Sequence, residues 1–428
     1  MTFNKSIPHE NVLDNSLGLF FEGYLFMPNR FNRFGKDIFR TRLFGEEVIC
    51  LRGEEAAKVF YDNSRFQRKG AAPKRVLKTL FGENGVQGLD DEAHKHRKAL
   101  FMSLMTPERL KILVDITRKQ WDDYSKKWET MKKIVLFEEA QKILCRAACE
   151  WAGVPLCFKE VNLRTDDFGA MIDAFGAVGP RYWKGRAARM RSECWMKKII
   201  EQIRLKKLNT YEDTAAYAIS WHRDLNGGLL DLQVAAVELI NIVRPIVAIA
   251  TYITFGAVAL LQFRDCRMNL QSDTGEYEER DYMKMFVQEV RRYYPFTPFV
   301  SARVRSDFEW NGCRFTPGTM VLFDAYGTDH DARLWDKPQE FWPERFAGRK
   351  ENQFDFVPQG GGDYYEGHRC PGEWITIDLM KVSLEFLIKE LDYSVPEQDM
   401  GFSLSRIPSI PQSRFIISEV KRKNQPVS

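Results

Sequence analysis

The chain lacks most of the features that would divide it or assign it at once. Its 428 residues hold no Pro/Gly/Ser-rich linker, no block of like charge, no internal repeat and no low-complexity tract. A length that could hold two or three domains is therefore read as one unit spanning 1–428. Net charge is only +4, from 63 basic and 59 acidic residues, and no basic stripe is interleaved with aromatics, which argues against a nucleic-acid partner. The eight cysteines, at 50, 145, 149, 157, 194, 266, 313 and 370, form no dense disulfide framework and match no zinc-finger or zinc-ribbon spacing. Cys145 and Cys149 share one helical face, where two small buried hydrophobes are a simpler reading than a metal site. Met1 to Glu10 contains no apolar segment of signal-peptide length, and with the cysteine usage this gives the expectation of a cytoplasmic protein.

What is present is an ordinary globular composition, 44% hydrophobic and 29% charged, enough for a sizeable core. The uncharged run from Pro245 to Phe263 approaches the ~20 residues that span a bilayer. It opens on a proline, contains Thr251, Thr254 and Gly256, and follows Glu238 and Arg244, so a buried core helix is expected and membrane insertion is not. Apolar residues recur at three-and-four spacing over 103–127, 134–151, 188–206, 231–263, 281–294 and 372–391, which predicts helices. Strand signals are short. Ile38–Leu43 and Val48–Leu51 flank Gly45 and predict a hairpin; Phe308–Trp310, Cys313–Phe315 and Met320–Phe323 predict a second small sheet. The expected class is mainly α, a large helical body with small β-sheets at one side.

Within the most apolar helical segment stands Arg244-Pro245, flanked by Ile242-Val243 and Ile246-Val247. A buried guanidinium without a partner is very costly, and the proline predicts a kink with free carbonyls beside it. Two partners suit the cation: a protein carboxylate such as Glu238, or the carboxylate of a bound molecule. Glu238 lies off the three-and-four spacing that makes helix neighbours, so a purely local pair is disfavoured.

Pro358-Gln359-Gly360-Gly361-Gly362 opens a loop that runs through His368-Arg369 to Cys370-Pro371-Gly372, after which a helix is expected. A sulfur at a helix N-terminus beside two basic residues sits in positive potential that favours the thiolate, the reactive and metal-ligating form. The consecutive glycines let backbone approach something flat or bulky. Upstream, Glu289 and Arg292 are three apart on one helical face, and Trp342-Pro343-Glu344-Arg345-Phe346 supplies another arginine.

In this order and at these separations the set resembles the haem-thiolate cytochromes, the cytochrome P-450 superfamily. Arg65-Phe66-Gln67-Arg68, Arg97 to Thr106, Val243 to Ile249, Gln288 to Phe296 and Pro358 to Gly362 narrow the resemblance to the bacterial fatty-acid peroxygenase branch. The stretch Asp173 to Arg181 looks closest to its beta-hydroxylating type. The resemblance implies one cytochrome P-450 fold, with haem b (iron protoporphyrin IX) between a long distal helix and the cysteine loop. It implies Cys370 as axial ligand, Glu289, Arg292 and Arg345 as braces of that loop, and His94, Lys98 and His368 at the haem propionates. Arg244-Pro245 stands where most of the superfamily has an acid-threonine pair. Asp363 and Glu366 stand where it has phenylalanine and glycine. These departures imply that Arg244 holds a long-chain fatty acid, whose own carboxylate assists cleavage of hydrogen peroxide with no obligatory redox partner. Arg244, Pro245 and Gln87 are thus the implied catalytic residues, and Phe81, Ile172, Phe175, Phe296 and Phe299 the implied walls of the apolar channel. Olefin-forming relatives carry histidine where Gln87 stands; a neutral amide is no proton donor of that kind, so alpha- and beta-hydroxylation is expected ahead of decarboxylation. A terminal-olefin-forming decarboxylase, a reductase-dependent monooxygenase and a non-catalytic haem or fatty-acid carrier are the alternatives.

Overall fold

A computed structural model describes residues 7–272 and 281–423; residues 1–6 of the N-terminal stretch read above lie outside it. The architecture is mainly α, with a helical body and three small sheets. At its centre runs Leu232–Ala248, started by Asp231, whose carboxylate accepts the N–H groups of Gln233 (2.8 Å) and Val234 (3.4 Å). From Ala235 to Arg244 every residue of this helix is buried, as an all-round apolar helix requires. Its neighbours are Leu136–Ala152 and Pro180–Arg204, and the cluster they build with Glu373–Glu385 is the main core. The combined stretch Leu232–Gln262 is long and apolar enough to cross a membrane, yet 89% of its most apolar window is buried in protein.

Pro245 does not end the helix. It removes one backbone donor, leaving the Asn241 carbonyl without its usual helical partner, but the turns continue to Ala248. The interruption comes at Ile249, whose N–H bonds the Ile246 carbonyl (3.1 Å) before Ala250–Gln262 resumes. Packing on all sides outweighs the one lost hydrogen bond.

The hairpin around Gly45 forms as Ile38–Leu43 and Glu46–Leu51. The late strands correct the expectation of one second sheet. Phe308–Trp310 and Cys313–Phe315 pair only with each other, whereas Met320–Asp324 crosses to lie parallel to Glu46–Leu51 and antiparallel to Phe299–Val304. Met320–Asp324 is buried at every position, a strand that both neighbours must cover. It leads into the short helix Ala325–Asp329, near the helix Tyr282–Tyr293 that carries Glu289.

Candidate active site

The loop Pro358–Gly372 ends against helix Glu373–Glu385 and places Cys370 at its tip. Gly360 and Gly362 have φ of +92° and +81°, a region that favours glycine. What the glycine backbone approaches is Tyr61 and Gln353: a Cβ on Gly361 would meet the Gln353 carbonyl at 2.6 Å, and one on Gly362 the Tyr61 side chain at 3.1 Å. The Cys370 N–H bonds the Gln359 carbonyl (3.1 Å), and the Gln359 side-chain amide points at the sulfur, Nε2 to Sγ 3.7 Å. The basic setting expected for this thiol takes a different form. Burial pushes the Cys370 thiol up, opposed by the Gly372 N–H, Lys98 and Arg291. His368 is driven well below its usual range by burial and is neutral, and Arg369 is committed to Glu373 (2.7 Å) and Glu351 (3.0 Å). Only a coordinated metal would hold this sulfur as thiolate outright.

Helix Asp91–Ser103 passes beside the loop. Lys98 Nζ donates to the carbonyls of Gly367 (3.0 Å) and Arg369 (2.5 Å), and burial lowers its pKa to about 8. The His94 ring lies 3.8 Å from that of His368, and burial brings His94 down to about 4. His94 and His368 open onto a cleft of about 710 Å³ that Tyr61 and Gly362 also line, and Lys98 does not reach it. Arg68, buried and without an ion pair among the described residues, acts electrostatically on both histidines.

Behind the loop, Glu289 and Arg292 bond twice, at 2.7 and 2.8 Å. Arg292 also donates to the carbonyls of Asp329, Pro338 and Glu340, while Glu289 accepts the Trp342 N–H (2.8 Å) and Arg345 (3.2 Å). Glu289 and Arg292 are 0% and 1% exposed, so this buried charge cluster persists because every group is satisfied.

Arg244 is the opposite case. It is 6% exposed, its Nε is buried without a partner, and it makes no hydrogen bond or ion pair with any described residue. Burial lowers its pKa to about 9, Arg189 adds to the effect, and Cys370 opposes it. Glu238 is taken: Arg97 (2.7 Å), the Val86 N–H (2.9 Å) and Asn241 Nδ2 (3.1 Å) all donate to it. Asn241 Nδ2 also donates to Gln87 Oε1 (3.2 Å), so the Gln87 amide keeps its N–H₂ for another partner. Phe81 ends the short π-helix Leu77–Phe81, Ile172 lies in the last turn of Val161–Asp173 with Phe175 just beyond that helix, and Phe299 starts the strand Phe299–Val304. Phe296 stacks on Tyr252 at 4.3 Å. All five proposed channel residues are only half-buried.

Sequence reasoning missed Arg68, Asn241, Gln359 and Arg291. Arg68, Arg291 and Gln359 lie within the motif stretches and could have been found there, whereas Asn241 carried no such signal; the contacts that give Asn241, Gln359 and Arg291 their roles are distant in sequence.

The residues fit a haem. A sulfur ends a glycine loop, an uncompensated cation lies within electrostatic reach of it, and Arg68, His94, Lys98 and His368 gather beside the loop in a way that suits a group with two carboxylates. The cytochrome P-450 family model matches residues 271–416. A solved structure of cytochrome P-450EX alpha with myristic acid is 46% identical, covers 98% of this chain and 100% of its own, and superposes with a TM-score of 0.94. A point variant of cytochrome P-450 OleT in complex with arachidonic acid is 35% identical over 99% of this chain and 100% of its own, also with a TM-score of 0.94. Among curated relatives, cytochrome P-450 71A8 of Mentha piperita is 29% identical over 33% of this chain and 28% of its own length. The matches to such relatives span 24% to 44% of their length. With full-length likeness to P-450EX alpha and OleT, this chain belongs to the cytochrome P-450 family.

Proposed function

We propose that the protein is a haem-thiolate fatty-acid peroxygenase, hydroxylating long-chain fatty acids at the beta and alpha carbons with hydrogen peroxide. The observation that carries this reading is Arg244, a buried guanidinium with no partner among the described residues. An anion bound there would remove the cost of the unpaired charge, and the fatty-acid ligands of the two similar structures are carboxylates. The haem, held by Cys370 with its propionates toward Arg68, His94, Lys98 and His368, would supply the oxidising centre.

The chain's own residues do the positioning. Arg244 binds the carboxylate head, so the alpha and beta carbons are the first to reach the reacting centre while the alkyl chain lies along Phe81, Ile172, Phe175, Phe296 and Phe299. Glu238, the sole carboxylate of Leu232–Ala248, is engaged by three donors and unavailable for proton transfer. Pro245 offers no hydroxyl. The substrate carboxylate therefore takes a proton from one oxygen of hydrogen peroxide and returns it to the other, and the Gln87 amide donates a hydrogen bond into the same space. Hydrogen peroxide already carries the two electrons that a reductase would otherwise deliver to dioxygen, so with the substrate carboxylate doing the acid–base work no obligatory redox partner is needed. We further read the protein as cytoplasmic, the apolar helix being core.

The test compares a saturated fatty acid with the alcohol of equal length, each with peroxide alone and with an electron donor and reductase, and identifies products by mass spectrometry. Hydroxy acids from acid and peroxide, with the alcohol inert until a short carboxylic acid is added, are expected. Equal turnover of acid and alcohol, or turnover only with the reductase, would overturn the reading.

A further inference from the structure

The Gln359 side chain has three partners. Its Oε1 accepts from Arg291 (2.9 Å); its Nε2 donates to Thr376 Oγ1 (3.0 Å) and lies 3.7 Å from Cys370 Sγ. Those contacts decide which way round the amide stands. Arg291 has only donors, so the oxygen faces it. Thr376 spends its own hydroxyl proton on the Gly372 carbonyl (3.0 Å) and must accept from the amide. Both amide hydrogens are thus on the Thr376 and Cys370 side, and one is left for the sulfur. Arg291 is itself fixed by Glu373 (2.6 Å), which also takes Arg369 (2.7 Å). The chain Glu373, Arg291, Gln359 and Cys370 is buried or half-buried throughout. A guanidinium behind the amide oxygen polarises the amide, which strengthens its N–H donation.

We infer that Gln359, oriented by Arg291, is a positioning residue that donates a side-chain hydrogen bond to the Cys370 sulfur and so tempers the electron donation of that ligand. Hydrogen bonds to ligating sulfur stabilise its negative charge and raise the reduction potential of the metal it holds. The inference rests on Cys370 being the axial ligand. That premise is checked separately: the parent protein must give the thiolate-type absorption band of the ferrous carbon monoxide complex and Cys370→Ala must lose it.

The experiment measures, on haem-loaded parent, Gln359→Leu, Gln359→Glu and Thr376→Val, the ferric/ferrous potential and the carbon–oxygen stretching frequency of the ferrous carbon monoxide complex. Loss of the bond frees charge on the sulfur, so Gln359→Leu should move the potential to more negative values and lower the stretching frequency, through greater back-donation into carbon monoxide. Gln359→Glu keeps an acceptor for Arg291 and has no N–H to offer; it should shift both readouts the same way, and it serves alone if Gln359→Leu does not retain haem. Thr376→Val removes the brace and leaves the sulfur bond, and should stay near the parent. Parent values in both Gln359 variants would overturn the inference, as would a shift in Thr376→Val equal to that in Gln359→Leu, since Gln359 would then only brace the loop.

Discussion

Two arginines of this protein are almost equally buried and differ in everything else. Arg292, 1% exposed, has five hydrogen bonds, two of them to a carboxylate that is itself held by Arg345 and the Trp342 N–H. Arg244, 6% exposed, has none within the described residues. A satisfied buried ion locks elements together, here the helix Tyr282–Tyr293 to the segments at 329 and 338–345. An unsatisfied one is a cost that the fold carries until a ligand removes it. The difference separates scaffold from proposed site: the same side chain is a brace where the protein supplies the anion and, in the function proposed above, a receptor where it does not.

The sharpest way to break that comparison is to remove the anion from the brace. Glu289→Gln leaves Arg292 and Arg345 sharing a neutral acceptor in a buried setting, and should cost about 3–5 kcal/mol of stability or abolish haem loading. Denaturant unfolding of the purified variant measures it. A loss no larger than about 1 kcal/mol would mean that the cluster behaves like a surface pair.

Asp324 supplies a third buried charge, half-way between the two. Its Oδ1 accepts the Gly327 N–H (2.7 Å), while its Oδ2 is buried with no partner. Burial raises its pKa to about 7, against the Gly327 N–H and Arg52. A carboxyl whose folded pKa lies above its unfolded value stabilises fully below the unfolded value, near 4, and loses that contribution as pH rises through about 7. Asp324→Asn keeps the capping oxygen and cannot ionise. The stability difference, variant minus parent, should therefore grow by on the order of 3 kcal/mol from about pH 4 to 7. Unfolding midpoints in urea across that range test it, and a constant difference would show that Asp324 is ionised in the fold throughout.

At Arg244 the expectation reverses. Arg244→Leu should leave ligand-free stability unchanged or higher, because it removes an uncompensated charge. Arg244→Ala should weaken fatty-acid binding by roughly 1.5–3 kcal/mol, and Arg244→Lys should recover part of that, keeping charge but not the planar fork. Optical titration of the haem protein with fatty acid measures both. Full affinity in Arg244→Ala would place the carboxylate elsewhere.

These contrasts also show which features can be read from a linear chain. Arg244 was legible because a cation among Ile242, Val243, Ile246 and Val247 clashes with its surroundings at the level of sequence alone. The Cys370 loop was legible through its glycines. What was not legible depends on long-range contact: that Glu238 is taken by Arg97 and Val86, that Arg291 reaches Gln359, and that Met320–Asp324 joins the first sheet. Short strands carry little periodicity, and their partners are chosen by the packing of the whole layer. The break at Ile249 was missed because local proline chemistry favoured position 245, while packing around the helix overrode it.

The smallest effect concerns how the receptor region selects a product. Asn241 donates to Gln87 Oε1 at 3.2 Å, so Gln87 keeps a neutral N–H₂, which in the proposed function faces the distal space. With histidine at 87, the Asn241 N–H would satisfy one ring nitrogen and leave the other N–H for that space, a group that titrates near neutrality where the amide does not. Gln87→His should therefore raise the share of terminal alkene over hydroxy acid by a modest factor, measured as the product ratio from one saturated fatty acid with peroxide. Asn241→Leu in the same background should weaken the effect, because the ring then loses the contact that orients it. An unchanged ratio in Gln87→His with fatty-acid binding intact would mean that the group at 87 does not steer the branch, and that product choice is made by how Arg244 and the apolar channel hold the chain.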